Sequence, residues 1–187
     1  MDDKTLVDLI VNKGEVDEGF RTLLKMYQER VYWHIRKMVF DHDDANDITQ
    51  NTFIKIYKNL NNFKGDSKLY SWIYRIATNE SITFINQKKK RNQTSFEEIS
   101  YSLSENLESD IFFDGDEIEL ILHRSIAQLP EQQRIVFQMK YFDDMKYEEI
   151  SEILQKSVGG LKANYHHAVK KIKQLIEVEA LTNQNSQ

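Results

Sequence analysis

Apolar residues recur at helical spacing along almost the whole chain, and no sustained alternation of apolar and polar residues interrupts that pattern. In the first half, the spacing predicts a short helix that ends near Gly14, a long helix through residues 20–35, a third over residues 44–60, and a fourth over about residues 69–87. Asp44 is expected to cap the third helix, with Asp47 at its third position. The sequence therefore predicts an all-α protein.

The charge is unevenly distributed along the 187 residues. Residues 1–93 carry 16 Lys and Arg against 13 Asp and Glu, residues 94–120 carry 9 acids and no bases, and residues 121–187 carry 9 bases against 8 acids. The net charge of −5 thus comes from the middle of the chain, and the two flanking blocks are mildly basic. A pI near 5.6 therefore does not exclude nucleic acid as a partner.

The acidic middle also marks a predicted domain boundary. Over residues 94–117 the helical periodicity fades into Ser, Asn, Asp and Glu, the composition of a linker. Helical pattern resumes at Ile118, and Pro130 suits the first turn of a helix over residues 131–141, because its missing N–H would be unpaired there anyway. The prediction is two helical modules, residues 1–93 and 118–187, joined by an acidic linker over residues 94–117.

The composition excludes several kinds of protein. The absence of cysteine rules out disulfides and thiolate metal sites. No basic-then-apolar signal segment opens the sequence, and no apolar run approaches the roughly 20 residues that span a bilayer. We therefore expect a cytoplasmic protein without a membrane span of its own.

Residues 146–173 have the layout of a helix-turn-helix: a short helix with Ile150, Ile153 and Leu154 inward, a tight connection at residues 155–157, and a longer helix capped by Ser157. The longer helix has a predicted buried stripe made of Val158, Leu161, Tyr165, Ala168, Ile172 and Leu175. Its other faces hold an amide and cations, which suit base edges and phosphates in a major groove. The alternative is an ordinary surface helix, on which lysines are also exposed. Adjacent positions on a helix diverge by about 100°, so His166 and His167 are not expected to hold a metal.

The stretch NNFKGDSKLYSWIYRIATNES, residues 61–81, mixes aromatic rings with cations and amides. Its helical part has a predicted core stripe made of Leu69, Ile73, Ile76, Ala77 and Phe84, and a neighbouring side that bears Trp72, Arg75, Asn79 and Asn86. Rings that accept unstacked bases, amides that read base edges and cations that hold a backbone suit single-stranded nucleic acid. Tyr and Trp with a buried ring and a polar tip are the structural alternative.

Two longer stretches resemble known modules. DDANDITQNTFIKIYKNLNNFKGDSKLYSWIYRIATNESITFINQKKKR, residues 43–91, resembles the promoter-melting module of bacterial sigma factors. LPEQQRIVFQMKYFDDMKYEEISEILQKSVGGLKANYHHAVKKI, residues 129–172, resembles their C-terminal helix-turn-helix module. With both modules in this order and no large domain between them, the chain is similar to the small extracytoplasmic-function (ECF) class.

The resemblance implies an initiation factor that is not an enzyme, needs no cofactor or metal, and binds core RNA polymerase and promoter DNA. The surface implied to dock on the polymerase comprises Asp47, Gln50, Asn51, Phe53, Ile54 and Tyr57. The residues implied to bind the melted minus-ten region are Phe63, Lys64, Gly65, Asp66, Ser67, Lys68, Tyr70, Trp72, Arg75, Asn79, Lys88, Lys89 and Arg91. Those implied to face the minus-thirty-five element are Ser157, Gly159, Gly160, Lys162, Ala163, Asn164, His166, His167 and Lys170.

Some positions depart from the family pattern. The family often has Thr or Ser at the position of Gly160, and Arg at those of Asn164 and His167. With fewer permanent cations we expect weaker phosphate contacts and a different base preference. The family also implies an anti-sigma factor as a partner, and a linker that enters the basic channels of the polymerase. The linker acids expected to be attracted there are Glu97, Glu98, Glu105, Glu108 and Asp110.

Two other functions fit parts of the sequence. An ordinary helix-turn-helix regulator would bind duplex operators without polymerase, but it gives no reason for the aromatic loop. A metal-dependent nuclease would use the acidic turn that contains Asp41, His42, Asp43, Asp44 and Asp47. A single acidic turn before a helix is more commonly a capping device.

Overall fold

The computed structural model describes residues 3–92 and 117–184. The helices of the first range are α1 (Asp3–Val7), a π-helical turn (Asp8–Asn12), α2 (Val16–Val39), α3 (His42–Leu60) and α4 (Leu69–Asn92). Those of the second range are α5 (Glu117–Ala127), α6 (Glu131–Tyr141), α7 (Tyr147–Leu154) and α8 (Val158–Gln184). The predicted all-α fold is confirmed, and the described residues contain no strand.

The chain divides into two compact units, residues 1–86 and 87–187. The division falls inside α4, seven residues before the module boundary expected from composition. Apart from Glu117, at the start of α5, the predicted linker over residues 94–117 lies outside the described residues. Its acids and their attraction to a polymerase channel stay a prediction.

Unit 1 is built around the packing of α2 on α3. Its core combines aromatic residues such as Tyr27 and Phe53 with buried aliphatic residues, among them Leu23, Val31, Ile35, Ile56, Leu60, Ile73 and Ala77. The π-helical turn closes over α2 at Gly19, where a Cβ atom would overlap the Ile10 side chain. Glycine therefore allows the turn to approach the helix.

Unit 2 packs α5, α6 and α7 against α8. Its core is formed by Ile126, Leu129, Val136, Met139, Ile150, Leu161 and Ala168. The short helix and the turn of the predicted helix-turn-helix are present as α7 and residues 155–157. Gln155 ends α7 in the left-handed region at φ 53°, and the Ser151 hydroxyl donates to the Lys156 carbonyl at 2.6 Å. These local bonds fix where the second helix begins.

Several boundaries differ from the prediction. Asp41, not Asp44, caps α3: its carboxylate accepts the Asp44 N–H at 2.8 Å, so Asp44 is the third residue of the helix. The predicted helix over residues 131–141 is confirmed, but Pro130 is its N-cap and lies just before the first turn. The last described turns of α4 extend beyond Gln87, through the basic run to Asn92.

The buried stripe of α4 follows the three-and-four spacing of an α-helix. It comprises Leu69, Ile73, Tyr74, Ala77, Thr78, Ser81 and Ile85. Ser81 fits among apolar neighbours because its hydroxyl donates to the Ala77 carbonyl at 2.9 Å. The stripe therefore bypasses Ile76 and Phe84, which were predicted to belong to it and are only half-buried.

Candidate nucleic-acid interface

Trp72, Arg75 and Asn79 share one side of α4, as predicted. Asn79 is exposed, and Trp72 and Arg75 are half-buried. Phe63, predicted to contact a base, is instead buried with 6% exposure, and its ring packs on the Trp72 indole at a centroid distance of 5.1 Å. Phe63 is thus placed to support Trp72 and not to be presented to a ligand.

The loop between α3 and α4 is short and polar. Lys64, Gly65, Asp66 and Lys68 are exposed, and Ser67 is half-buried. Gly65 has φ +77°, a conformation that side chains other than glycine rarely adopt, so this position requires glycine to turn the chain. The loop therefore displays its charges and hydroxyl around a fixed turn beside α4.

A cleft of about 310 Å³ opens between α3 and α4. Its lining residues are Lys55, Asn59, Asn62, Trp72, Ile76, Asn79 and Glu80. Lys55 and Glu80 form an ion pair across it at 2.5 Å. The volume is at the lower end of the roughly 300–1,000 Å³ of small-molecule pockets. Trp72 and Asn79 were predicted; Lys55, Asn59, Asn62 and Glu80 were missed, because a wheel of one helix cannot show what a second helix places opposite.

Tyr70 belongs to a chain of aromatic contacts at the start of α4. Its ring packs on Tyr74 at 4.3 Å, and Tyr74 contacts the buried His34 ring edge-on at 4.9 Å. The guanidinium of Arg30 lies over Tyr70 at 5.6 Å and over Tyr27 at 5.7 Å. A cation close to two rings adds attraction. Tyr70 is thereby fixed beside the loop.

At the C-terminal end of α4, Lys88 and Arg91 are exposed and Lys89 is half-buried. Cations in the last turn of a helix interact favourably with its dipole. The exposed pair presents the positive charge expected for phosphate contacts.

The outer face of α3 exposes both polar and apolar side chains. Asp47, Gln50 and Asn51 are exposed, and Ile54 and Tyr57 each keep 46% of their surface exposed. The Tyr57 ring packs on Phe20 at 4.9 Å, and its hydroxyl donates to the Asp17 carboxylate at 2.9 Å. That bond raises the pKa of Tyr57 above its ordinary value. Phe53, predicted on this surface, lies in the core with 6% exposure.

The acidic turn before α3 makes the contacts of a helix start. Asp41 caps the helix, and the His42 ring lies within hydrogen-bond distance of the Tyr32 hydroxyl at 2.7 Å and the Asn46 amide at 2.9 Å. Within residues 3–92 and 117–184, no three His, Asp or Glu side chains converge as a metal site would require.

In unit 2, Ser157 is placed as the predicted cap of α8. Its hydroxyl accepts the Gly160 N–H at 3.2 Å, and its carbonyl accepts the Leu161 N–H at 3.0 Å. The predicted DNA-facing side is largely open: Gly159, Gly160, Lys162, Ala163, His166, His167 and Lys170 are exposed, and Asn164 is half-buried. The rings of His166 and His167 lie 5.9 Å apart and nearly perpendicular, as diverging neighbours on a helix do.

Stacked rings hold α8 against the rest of unit 2. Tyr165 stacks on Phe137 of α6 at 5.7 Å and meets Tyr147 of α7 edge-on at 6.3 Å. The ammonium groups of Lys140 and Lys162 lie over the Tyr147 ring at 5.8 and 5.7 Å. Burial raises the pKa of the Tyr147 phenol. Lys162 is therefore held in place on the helix side that carries His166.

None of the helices described here is long and apolar enough to cross a lipid bilayer.

Two family descriptions match the chain: "Sigma-70 region 2" over residues 23–91 and "Sigma-70, region 4" over residues 119–172. The first match contains α3, α4 and the cleft, and the second contains the helix-turn-helix. The pair of matches decides against the ordinary regulator and the nuclease, because both regions are those of sigma factors.

Characterised relatives agree over most of the chain. It is 32% identical to the RNA polymerase sigma-H factor of Pseudomonas aeruginosa over 174 residues, 89% of each chain. It is 32% identical to the ECF RNA polymerase sigma factor SigW of Bacillus subtilis over 165 residues, 83% of this chain and 87% of that one. With the ECF RNA polymerase sigma-E factor of Escherichia coli K12, identity is 31% over 176 residues, 89% of this chain and 90% of the other.

Solved structures share the fold. A sigma factor RpoE from Bartonella quintana, crystallised with the anti-sigma factor NepR, matches with a TM-score of 0.65 and 17% identity over 85% of this chain and 97% of its own. CnrH, in complex with the cytosolic domain of CnrY, matches with a TM-score of 0.63 and 18% identity over 87% and 90% of the two chains. Two sigma-70 regions in one chain, and relatives matched along nearly its full length, show that this protein belongs to the ECF class of RNA polymerase sigma factors.

Proposed function

We propose that this sigma factor docks on core RNA polymerase through the outer face of α3. It binds the promoter at two separate elements, the minus-ten and the minus-thirty-five. The docking surface comprises Asp47, Gln50, Asn51, Ile54 and Tyr57, without the buried Phe53. Half-exposed Ile54 and Tyr57 beside amides and an acid have the composition of a protein interface, in which aromatic residues are enriched. The proposed function consists of binding to polymerase and promoter, so it requires no catalytic group.

The second part of the proposal is that unit 1 stabilises the melted minus-ten strand. The observation that carries it is the cleft, where the Trp72 ring and the Asn79 amide line one concave surface. The indole is braced by Phe63 and offers a stacking surface, while the amide can read the edge of an unpaired base. Lys64 and Lys68 in the loop would hold the backbone. Lys88 and Arg91 lie in the part of α4 that belongs to unit 2, and their phosphate contacts are proposed separately. Captured bases and phosphates then offset an unpairing cost of a few kcal/mol without ATP.

The third part concerns duplex DNA. Helix α8, which Tyr165 anchors to α6, exposes Lys162, His166 and Lys170, and the half-buried Asn164 lies at the edge of this exposed surface. An Asn can pair with adenine edges and a Lys with guanine or phosphate in the major groove. We assign this side to the minus-thirty-five element. Because core RNA polymerase works in the cytoplasm, we place the protein there as well.

A regulatory partner follows from the structural relatives. Two of them were solved in complex with partners, RpoE with the anti-sigma factor NepR and CnrH with the cytosolic domain of CnrY. We propose that an anti-sigma factor also binds this chain, and that it competes for the surfaces that polymerase and DNA would occupy.

In vitro transcription with core enzyme and genomic promoter fragments tests the proposal. We expect the wild-type protein to direct initiation at specific fragments and to make their minus-ten thymines reactive to permanganate. Trp72→Ala and Asn79→Ala should lower the stability of the open complex roughly 5- to 150-fold, the equivalent of about 1–3 kcal/mol for a lost stacking or edge contact. Binding to core enzyme should be unchanged.

Trp33→Ala is the control for the loss of an indole. Trp33 is 44% exposed on α2 and does not line the cleft, so its replacement should leave melting intact. An equal loss of core binding in Trp72→Ala would mean that Trp72 supports the fold of unit 1 and does not bind DNA. Absence of specific initiation on every fragment would contradict the whole proposal.

A further inference from the structure

We propose that Arg30 on α2, which lies outside the predicted DNA-binding residues, binds a backbone phosphate of the captured single strand. The inference rests on the proposed function, which brings that strand to unit 1. It adds a further helix to the strand-binding surface, and it gives the aromatic rings at the start of α4 a role as the support of a cation.

Arg30 is an exposed cation held by two aromatic rings. Its guanidinium lies over the Tyr27 ring at 5.7 Å and over the Tyr70 ring at 5.6 Å, both within the roughly 6 Å of a cation–π contact. No carboxylate among the described residues forms an ion pair with it. Its charge is therefore positioned by uncharged rings and is not neutralised by an acid.

The two rings form a fixed support for the guanidinium. Tyr27 keeps only 2% of its surface exposed, and its hydroxyl donates to the Asp3 carboxylate at 2.5 Å. Tyr70 packs on the buried Tyr74 ring at a centroid distance of 4.3 Å. Ordering a free Arg side chain costs up to about 2 kcal/mol of rotamer entropy. A guanidinium that the rings already hold has lost part of that freedom before a phosphate arrives.

Arg30 also lies near the strand-binding loop between α3 and α4. Tyr70, which it contacts, is the second residue of α4 and follows Lys68 by two positions. Helix α1 reaches the same place, since a Cβ atom at Gly65 would lie 3.7 Å from Val7 Cγ1. Because α1 also carries Asp3, the partner of the Tyr27 hydroxyl, one short helix contacts both the loop and the support of Arg30.

Arg30 and the cleft flank the loop on different sides of α4. Tyr70 and Trp72 are two positions apart, so their side chains leave the helix about 200° apart around its axis. A strand with one base stacked on Trp72 would pass the loop at the start of α4 before it reaches Arg30. Lys64 and Lys68 are exposed in this loop. The cations of the loop and of α2 thus form one path for a backbone that extends beyond the captured base.

The chemistry of a guanidinium suits a phosphate on this path. It presents five N–H donors in one plane and can bind two phosphate oxygens at once. Contact with aromatic rings uses the faces of that plane, whereas the donors point outward from its edge. Glu29, the adjacent acid on α2, leaves the helix about 100° away from Arg30. Because the proposed contact is with the backbone, it should not depend on sequence.

The test is the salt dependence of single-strand binding by holoenzyme assembled from this protein and core RNA polymerase. The probe is the labelled non-template strand, alone, of a promoter fragment on which the holoenzyme initiates transcription, and core enzyme gives the background. Each phosphate contact on a single strand contributes about 0.7 to the slope of log affinity against log salt concentration. Arg30→Gln should therefore reduce the slope by about 0.7 and weaken binding roughly 5-fold at about 0.1 M salt.

Two further variants separate charge from position. Arg30→Lys keeps the charge, so it should keep the wild-type slope, while the loss of the planar fork lowers the affinity. Arg21→Gln is the control for the removal of one cation from α2. Arg21 is exposed nine positions before Arg30, on the opposite side of the helix, so its replacement should leave slope and affinity unchanged.

The outcomes separate this inference from the function on which it rests. An unchanged slope in Arg30→Gln would overturn the phosphate contact, and strand capture would stand if Lys64→Gln lowers the slope in the same assay. Weaker binding of Arg30→Gln with the wild-type slope would mean that Arg30 supports the fold, which also overturns the contact. No binding of the probe above the core background, or no fragment on which initiation occurs, would contradict the proposed function itself.

Discussion

Tyr27 ties the first helix of unit 1 to the second. Its side chain is 2% exposed, and its hydroxyl donates to the Asp3 carboxylate at 2.5 Å. Burial, and then the bond to Asp3, raises the pKa of Tyr27 above its ordinary value of 10.0. The folded protein therefore favours the neutral phenol more than the unfolded chain does. The stability that this gives is present below pH 10 and is lost as the pH rises above it.

Tyr27→Phe should cost about 1.5–3 kcal/mol at neutral pH, the range for a hydrogen bond to a charged group. Above pH 10 the wild type alone loses stability from this side chain, by up to about 1.4 kcal/mol per pH unit, so the difference between the two proteins should shrink. Denaturant unfolding followed by tryptophan fluorescence measures this difference in the free energy of unfolding, because both tryptophans, Trp33 and Trp72, lie in unit 1. A difference that stays constant up to about pH 11 would contradict the raised pKa.

At the scale of elements, the π-helical turn and α2 meet through a glycine. A Cβ atom at Gly19 would overlap the Ile10 side chain, which is itself 4% exposed. Ile10 has little room to move, because Leu6 and Leu9 beside it are buried as well. The approach of these two elements therefore depends on the absence of a side chain at residue 19.

Gly19→Ala should destabilise unit 1 by about 1–3 kcal/mol through overpacking, despite the better helix propensity of alanine. In an Ile10→Ala background the same change should cost much less, because the overlapping atoms are gone. Denaturant unfolding followed by tryptophan fluorescence measures the loss of stability caused by Gly19→Ala in each background. Gly159→Ala is the matched control: its added Cβ would meet nothing within 4 Å, so we expect no loss of helical signal or stability in unit 2.

The elements were largely predictable from spacing, whereas details that depend on a second element were not. Periodicity predicted the helix over residues 131–141, because the spacing of apolar residues along one helix face can be recognised from the sequence alone. Phe53 and Phe63 were assigned to binding surfaces, yet both are buried, since an aromatic residue at a boundary position goes where a neighbouring helix leaves room. The cleft was missed for the same reason: Lys55 and Glu80 are 25 positions apart, and only folding pairs them.

At the scale of the whole molecule, the charge is divided between acidic and basic segments. The nine acids without a base over residues 94–120 separate blocks with net charges of +3 and +1. Such a segment is attracted to a positively charged channel and repelled by DNA phosphates. We therefore expect the acidic stretch to favour a basic channel of the polymerase over promoter DNA.

Replacing Glu97, Glu98, Glu105, Glu108 and Asp110 by the corresponding amides should slow association with core polymerase roughly tenfold or more at low ionic strength, and make it less sensitive to salt. Stopped-flow binding at several salt concentrations measures both. A linker with the same residues in shuffled order is the control and should associate at the wild-type rate. If the amide variant associates as fast as the wild type at low salt, the linker acts only as a tether.

Helix α3 contributes to two proposed binding surfaces, one on each of two faces. Ile54 and Tyr57 point outward on the face assigned to the polymerase, while Lys55 and Asn59 form one wall of the cleft. A partner that fixes the position of this helix also fixes half of the cleft, so docking and strand capture share one rigid body. By thermodynamic linkage, any effect of docking on the affinity of the cleft for a strand must be matched by an equal effect of the strand on the affinity for polymerase. Measuring strand binding with and without core enzyme, and core binding with and without a strand, should therefore give the same factor.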